Sequence, residues 1–156
     1  MSMRVAIEIS AKVIEEKGEV EVPTSEIVVS GKSTGKFVSG AVLEAAVQCD
    51  ERYLLFFTDD VPFEEMLSIH LLDNQWHLLD SARIGGIYTT GAFSALKLCD
   101  PNLVHFRFIG DTGWVVEILS RPMFRLPFVS DPPGVYRAFG FSRHFLVREN
   151  PHRKTP

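Results

Sequence analysis

The chain has little cysteine and no long apolar segment, and both absences exclude classes of protein. Its two cysteines, Cys49 and Cys99, are too few for a disulfide framework and too isolated for a zinc site. No apolar run reaches the roughly 18 residues that a membrane helix needs. The N-terminus alternates like a strand and lacks the charged-then-apolar pattern of a signal peptide. We therefore expect a cytoplasmic protein without a membrane segment.

The residues that are present are typical of one soluble globular domain. The chain has 156 residues, of which 46% are hydrophobic. A chain of this length buries roughly 70% of its unfolded surface, so it can form a core without metal or disulfide bonds. We predict a single β-rich domain over residues 1–149 and a flexible C-terminal tail over residues 150–156.

The apolar residues alternate with a period of two along most of the chain. Residues 4–13 and 19–22 alternate on either side of a turn, which is the pattern of a β-hairpin. Further apolar runs are separated by short turns, and they cover residues 38–48, 52–58, 65–72, 76–80, 94–99, 103–109 and 113–119. Such short connections favour antiparallel neighbours, because a parallel crossover needs a dozen or more residues.

The sequence therefore predicts a mainly β protein, an antiparallel meander of about 9–10 strands that closes into a sandwich or a barrel. We expect at most one or two short helices. Two segments leave the choice between strand and helix open. Residues 40–48 contain good helix formers, and residues 60–65 combine a capping acid with Pro62. We predict strand for residues 40–48 and 62–70, with a possible helical turn at 62–65.

Charge is distributed unevenly along the chain. Residues 1–80 contain 15 acids and 6 bases, whereas residues 81–156 contain 5 acids and 10 bases. Four acids surround Pro62: Asp59, Asp60, Glu64 and Glu65. They lack the spacing of a calcium loop, so we expect either a solvated acidic loop or a surface that binds a basic protein partner.

A phosphate-binding loop is suggested by residues 30–36, Ser-Gly-Lys-Ser-Thr-Gly-Lys, which follow an apolar run. The motif requires a glycine five positions before Gly31, and Glu26 occupies that position. An acid there would repel phosphates. We therefore interpret the segment as a turn.

A second motif lies in the basic C-terminal part of the chain. Residues 137–144 resemble the aromatic strand of the RNA recognition motif, whose ring faces stack on bases. Four of the eight positions match: Arg137, Phe139, Gly140 and Phe141. In that fold another helix and strand must follow, and only 12 residues remain after His144. The sequence pI of about 5.7 is also low for a nucleic-acid binder, so we expect a core strand and consider nucleic acid an unlikely partner.

Two histidines could contribute to a metal site. If Asn74-Gln75 is a two-residue turn, Leu72 lies opposite His77, and His70 becomes a diagonal neighbour of His77. Two imidazoles without a third ligand make a weak site. We therefore predict no metal and no cofactor, with His70 and His77 as weak candidates.

The sequence matches no catalytic motif, and we predict no catalytic residue. The favoured hypothesis is a non-enzymatic protein-binding domain, for example an immunity-type inhibitor that masks a basic toxin through an acidic surface. The alternative is a carrier that holds a small apolar ligand in a barrel cavity, because 12 Phe, 2 Trp and 3 Tyr are more than a small core needs. A metal-dependent enzyme that uses the acids at 59–65 with His70 and His77 is the second alternative.

Overall fold

The structure is a computed structural model that describes residues 1–14, 23–61, 65–85, 91–110, 112–124, 131–137 and 142–150. These residues form thirteen β-strands and no helix. In chain order the strands are β1 Met3–Val5, β2 Ile9–Ile14, β3 Thr24–Val29, β4 Lys32–Ser39, β5 Val42–Cys49, β6 Arg52–Thr58, β7 Met66–Leu72, β8 Leu78–Gly85, β9 Ser94–Cys99, β10 Leu103–Arg107, β11 Gly113–Phe124, β12 Val135–Arg137 and β13 Ser142–Glu149. No helix capable of crossing a membrane occurs in this part of the chain.

The strands form three antiparallel sheets. The central sheet has six strands in the order β1-β5-β6-β7-β8-β12, the four-stranded sheet has the order β13-β11-β10-β9, and the three-stranded sheet has the order β2-β3-β4. Strands β5 to β8, and likewise β9 to β11, pair with their neighbours in chain order and antiparallel, so the predicted antiparallel meander is confirmed. The arrangement is sandwich-like, and none of the sheets closes into a barrel over the described ranges.

The central sheet is buried on both faces. Leu54 and Phe56 belong to the apolar cluster shared with the four-stranded sheet, whereas Leu55 and Phe57 belong to the cluster shared with the three-stranded sheet. Successive side chains of a strand point to opposite faces, so a strand covered on both sides must be apolar throughout. This explains the continuous apolar run in β6, which alternation alone does not predict.

Aromatic rings fill the space between the central sheet and the four-stranded sheet. The Phe56 ring centroid lies 5.1 Å from that of Phe93 and 5.2 Å from that of Phe106. Trp114 is also buried there and donates its indole N–H to the Phe108 carbonyl oxygen at 3.0 Å. These rings are core residues, and the barrel that the carrier hypothesis requires does not form in the described residues.

The strand boundaries agree with the sequence in the middle of the chain. Strands β6 and β9 have the bounds predicted, and residues 42–49 are a strand rather than a helix. The possible helical turn at 62–65 falls mainly on residues 62–64, which lie outside the described residues, and Glu65 is not helical. Of the predicted tail, Asn150 still donates its N–H to the Gly113 carbonyl oxygen at 2.8 Å, and residues 151–156 lie outside the described residues.

The N-terminal segment differs from the prediction. A turn at Ile7-Glu8 divides residues 4–13 into two strands, because β1 joins the central sheet with Met3 opposite Cys49, and β2 joins the three-stranded sheet with Ile9 opposite Val29. Strand β2 pairs with β3, and most of the predicted partner segment, residues 19–22, lies outside the described residues. This division, the division of the predicted run 38–48 between β4 and β5, and the short edge strand β12 raise the count from the predicted 9–10 to thirteen.

Only the first two residues of the segment 30–36 form the turn interpreted from the sequence, since Ser30 and Gly31 connect β3 to β4 and residues 32–36 belong to β4. Ser30 and Gly31 have φ angles of 49° and 79°, and two central residues with positive φ are typical of a type I′ turn. Glu26 accepts the Gly35 N–H at 3.0 Å. An acid of the chain itself therefore accepts a backbone N–H of this segment.

Candidate functional site

The predicted acidic loop lies between the end of β6 and the start of β7. Asp59 is only 7% exposed, and its Oδ2 accepts a hydrogen bond from Arg83 Nη2 at 2.6 Å. Asp60 is exposed, and Glu64 lies outside the described residues. The expectation of a wholly exposed acidic loop is therefore wrong for Asp59, because its carboxylate is buried in an ion pair.

Glu65 fixes the backbone at Asp59 and Asp60. Its Oε1 accepts the N–H groups of Asp59 and Asp60, at 3.1 and 3.2 Å. Asp60 has a φ of 57°, a left-handed conformation that Asp tolerates better than most residues. Burial raises the pKa of Glu65, and the two backbone hydrogen bonds oppose that rise. One carboxylate thus holds two consecutive amides and presents the Asp60 side chain to solvent.

The Asp59–Arg83 ion pair crosses over β7. Strand β7 lies between β6 and β8, and Ser68 is the β7 residue opposite Arg83. Flanking strands are about 9.5 Å apart, so the long Arg83 side chain must span most of the distance to Asp59, and the small Ser68 leaves room for it. Burial raises the pKa of Asp59, and the Arg83 guanidinium opposes the rise through its charge and its hydrogen bond.

His70 lies two residues along β7 on the same face and connects two sheets. Its Nε2 lies 2.8 Å from the Ser39 carbonyl oxygen, and its Nδ1 lies 2.7 Å from the Ser81 hydroxyl. A carbonyl oxygen can only accept, so Nε2 carries the proton and Nδ1 accepts from Ser81. The side chain is 4% exposed, and burial lowers its pKa to about 4.

Glycine is required beside this contact. Gly40 follows Ser39 with a φ of 128°, and a Cβ there would lie 2.3 Å from the Phe57 Cβ. Only glycine lets the chain pass this close to β6 as it moves from the three-stranded sheet to the central sheet. The passage places the Ser39 carbonyl against His70.

The Ser81–His70 contact has the distance of a nucleophile and its base, but it is poorly suited to catalysis. An effective general base has a pKa near the working pH, and the pKa of His70 lies well below neutrality. Both ring nitrogens are already engaged, which leaves neither for a metal ion. The geometry is that of a structural hydrogen-bond relay.

The predicted proximity of His70 and His77 is wrong. Asp73 Oδ1 accepts the N–H groups of Gln75 and His77, which makes a longer loop than the two-residue turn assumed from the sequence. Leu72 consequently lies opposite Leu78, and His77 lies beside Asp73 with Nδ1 at 3.2 Å from Oδ2.

No cluster of three or more potential metal ligands exists among the residues that the structure describes.

Arg137, which matched the RNA-binding motif, is buried. Its side chain is 2% exposed, and it donates to Asp80 Oδ2 at 2.6 Å and to the Ser81 carbonyl oxygen at 2.9 Å. The guanidinium carbon lies 4.4 Å from the Phe145 ring centroid. Arg137 therefore cannot stack on a base. The other three matching positions, Phe139, Gly140 and Phe141, lie outside the described residues.

The two buried ion pairs account for part of the charge asymmetry. Each joins an acid from residues 1–80 to a base from residues 81–156: Asp59 to Arg83, and Asp80 to Arg137. The halves of the chain thus neutralise each other in part inside the fold.

Exposed acids remain near the end of β6. Thr58 donates its hydroxyl to Glu44 Oε2 at 2.8 Å, and Glu44 is exposed one strand away from Asp60. Val42 lies opposite Thr58, and both Val42 and Val61 are exposed. We call the surface formed by Val42, Glu44, Asp60 and Val61 the acidic end.

Sequence reasoning missed Ser39, Ser68, Ser81 and Arg83. One indication was available, since Ser68 and His70 are polar residues at period two within the otherwise apolar strand β7. A polar pair on one face of a buried strand indicates a hydrogen-bonded cluster.

Comparison with protein-family models gives no match, and no curated protein or solved structure matches the chain significantly.

Proposed function

We propose that this chain is a non-enzymatic protein-binding domain that contacts a basic partner through its acidic end. The observation that carries the proposal is the anchoring of Asp60: Glu65 holds the amides of Asp59 and Asp60, and Arg83 holds the carboxylate of Asp59. The exposed carboxylate of Asp60 therefore projects from a backbone that is already ordered.

A backbone that is already fixed at Asp59 and Asp60 favours binding because little conformational entropy is lost there on association. The acidic end also combines two carboxylates, Glu44 and Asp60, with the exposed apolar side chains Val42 and Val61. Interfaces commonly have an apolar centre with charged groups around it, and the charges increase the association rate and the specificity for an oppositely charged surface.

A finer form of the proposal is an immunity-type inhibitor that covers the basic active site of a toxin. The buried hydrogen-bond relay at His70 and the absence of a barrel in the described residues give the enzyme and carrier alternatives no support of comparable strength.

The test is affinity purification with the tagged full-length chain and quantitative mass spectrometry of the retained proteins. The test variant carries Glu44→Lys and Asp60→Lys. The control variant carries Glu51→Lys and Glu149→Lys, which makes the same change in charge at exposed positions outside the acidic end. We expect a partner with a basic surface that the wild type and the control retain and that the test variant loses about tenfold or more.

The purified partner is then titrated by calorimetry at two salt concentrations. Weaker binding at higher salt, seen with the wild type and reduced in the test variant, supports an electrostatic contact at the acidic end. A partner that binds both variants with equal affinity would contradict the proposal.

A further inference from the structure

Two buried polar atoms beside the Asp59–Arg83 ion pair have no hydrogen-bond partner: Asp59 Oδ1 and Ser68 Oγ. Asp59 is 7% exposed and Ser68 is completely buried. Both residues adjoin Arg83, since Asp59 Oδ2 accepts from its guanidinium and Ser68 lies opposite it in the β-ladder. The unpartnered atoms therefore belong to one small polar region between β6 and β8.

Such atoms are costly if they stay unpaired. A buried donor or acceptor without a partner loses its hydration without replacement, and native proteins rarely tolerate it. The two atoms are not hydrogen-bonded to each other, because each has no partner within hydrogen-bond distance. A third group that touches both would satisfy them.

The charges of Asp59 and Arg83 indicate whether this third group is charged or neutral. The carboxylate of Asp59 and the guanidinium of Arg83 cancel, so neither a cation nor an anion gains net attraction there. The remaining requirement is a neutral molecule that donates to Asp59 Oδ1 and also bonds to a serine hydroxyl. Water meets it, and buried waters typically make about three hydrogen bonds to such polar atoms.

We propose that one buried water molecule binds beneath the Asp59–Arg83 ion pair and bridges Asp59 Oδ1 to Ser68 Oγ. The water completes the hydrogen bonding of the residue that precedes Asp60 and so belongs to the anchoring of the loop. This binding site does not depend on the proposed partner, because it concerns the free protein.

The sign of one stability change tests the proposal. If Ser68 bonds to a bridging water, Ser68→Ala removes a hydrogen bond and lowers the Tm by about 2–5 °C. If Ser68 is buried without any partner, the same substitution removes an unsatisfied hydroxyl and raises the Tm. Ser25→Ala is the control, since Ser25 is equally buried and donates directly to the Gly40 carbonyl oxygen at 2.7 Å, so its Tm must fall in either case.

The water itself is observed by NMR in the wild-type protein and in Ser68→Ala. We expect cross-relaxation between a long-lived water and the amide protons of Ser68 or Asp59, and its loss in Ser68→Ala but not in Ser25→Ala. A lower Tm together with this loss supports the proposal. An unchanged or higher Tm overturns it, as does a lower Tm without any long-lived water at these amides.

Discussion

Two ion pairs lie on opposite faces of β8, and they differ in how completely their polar atoms are satisfied. On the face toward the four-stranded sheet, Asp80 Oδ2 accepts from Arg137 and from the His144 N–H, and Oδ1 accepts from the Ser81 N–H. On the opposite face, Asp59 uses one oxygen for Arg83, and Arg83 is 27% exposed.

The Asp80–Arg137 pair is a structural contact between layers, whereas the Asp59–Arg83 pair can still form further hydrogen bonds. Arg137 also donates to the Phe145 carbonyl oxygen at 3.2 Å, so this pair joins β8 and β12 of the central sheet to β13 of the four-stranded sheet. A fully satisfied buried network holds two layers in one arrangement. The Asp59–Arg83 pair lies at the end of the sheet with hydrogen-bonding capacity left over, and it adjoins the loop proposed to bind a partner.

The largest expected loss of stability comes from breaking the Asp80–Arg137 pair, whose polar atoms are all hydrogen-bonded. Asp80→Ala leaves Arg137 buried without its main counter-charge, which destabilises a protein by about 3–5 kcal/mol. The control, Arg148→Ala, removes a partly exposed pair with Glu117 and should cost about 0–1 kcal/mol. Urea unfolding of both variants measures the difference. Equal free energies of unfolding would show that Asp80–Arg137 does not hold the layers together.

The second-largest expected effect is a pH dependence of the free energy of unfolding, caused by His70 on the Arg83 face of the central sheet. The pKa of His70 is about 4 in the folded protein and 6.5 in the unfolded chain, so the unfolded chain binds the proton more tightly. The contribution of neutral His70 to stability is complete above pH 6.5 and is lost as the pH falls toward 4, by about 3 kcal/mol in total.

This effect is measured as the free energy of unfolding between pH 7 and pH 4 for the wild type and for His70→Gln. The raised pKa values of Asp59 and Glu65 act in the opposite direction, and both proteins retain them. The wild type should therefore lose more stability on acidification than the variant. A His70→Gln slope equal to the wild-type slope would refute the assignment.

A smaller loss of stability is expected from breaking the Asp59–Arg83 pair, in which Asp59 Oδ1 has no hydrogen-bond partner. Asp59→Ala leaves Arg83, which can turn its exposed part toward water, so we expect a loss of about 1–3 kcal/mol. Urea unfolding in parallel with Asp80→Ala ranks the two pairs. If Asp59→Ala proved the more damaging substitution, the distinction between the two faces of β8 would be wrong.

The smallest effect concerns the acidic end. Glu44→Lys with Asp60→Lys changes exposed side chains but also removes the acceptor of the Thr58 hydroxyl, so the free energy of unfolding should fall by about 0.5–1.5 kcal/mol. Thermal unfolding of this variant checks that any loss of partner binding reflects the surface rather than the fold. A fall in the free energy of unfolding well beyond the loss of the Thr58–Glu44 hydrogen bond would instead assign Asp60 a structural role.

Local pattern predicted most of the strands, because a period of two and short polar turns are properties of neighbouring residues. Strands β6 and β9 have the bounds expected. The N-terminal division was not predictable, since the turn at Ile7-Glu8 exists only because β1 and β2 join different sheets.

The candidate site was predicted only in part. The region around residues 59–65 is where the polar cluster lies, but Asp59 was expected to be accessible and is buried against Arg83. The register of β7 and β8 depends on the loop that Asp73 organises, and a wrong turn length placed His77 beside His70. Side-chain hydrogen bonds to the backbone decide such turns, and spacing alone does not reveal them.

The sequence by itself determined an antiparallel β protein, because alternation and short connections act locally. Only the tertiary structure decided which polar residues meet. Ser39 reaches His70 across 31 positions, and Arg137 reaches Asp80 across 57, because layers of sheet bring distant strands together. Two neighbouring acids that look alike in the sequence therefore differ in the structure: Asp59 is buried, whereas Asp60 is exposed.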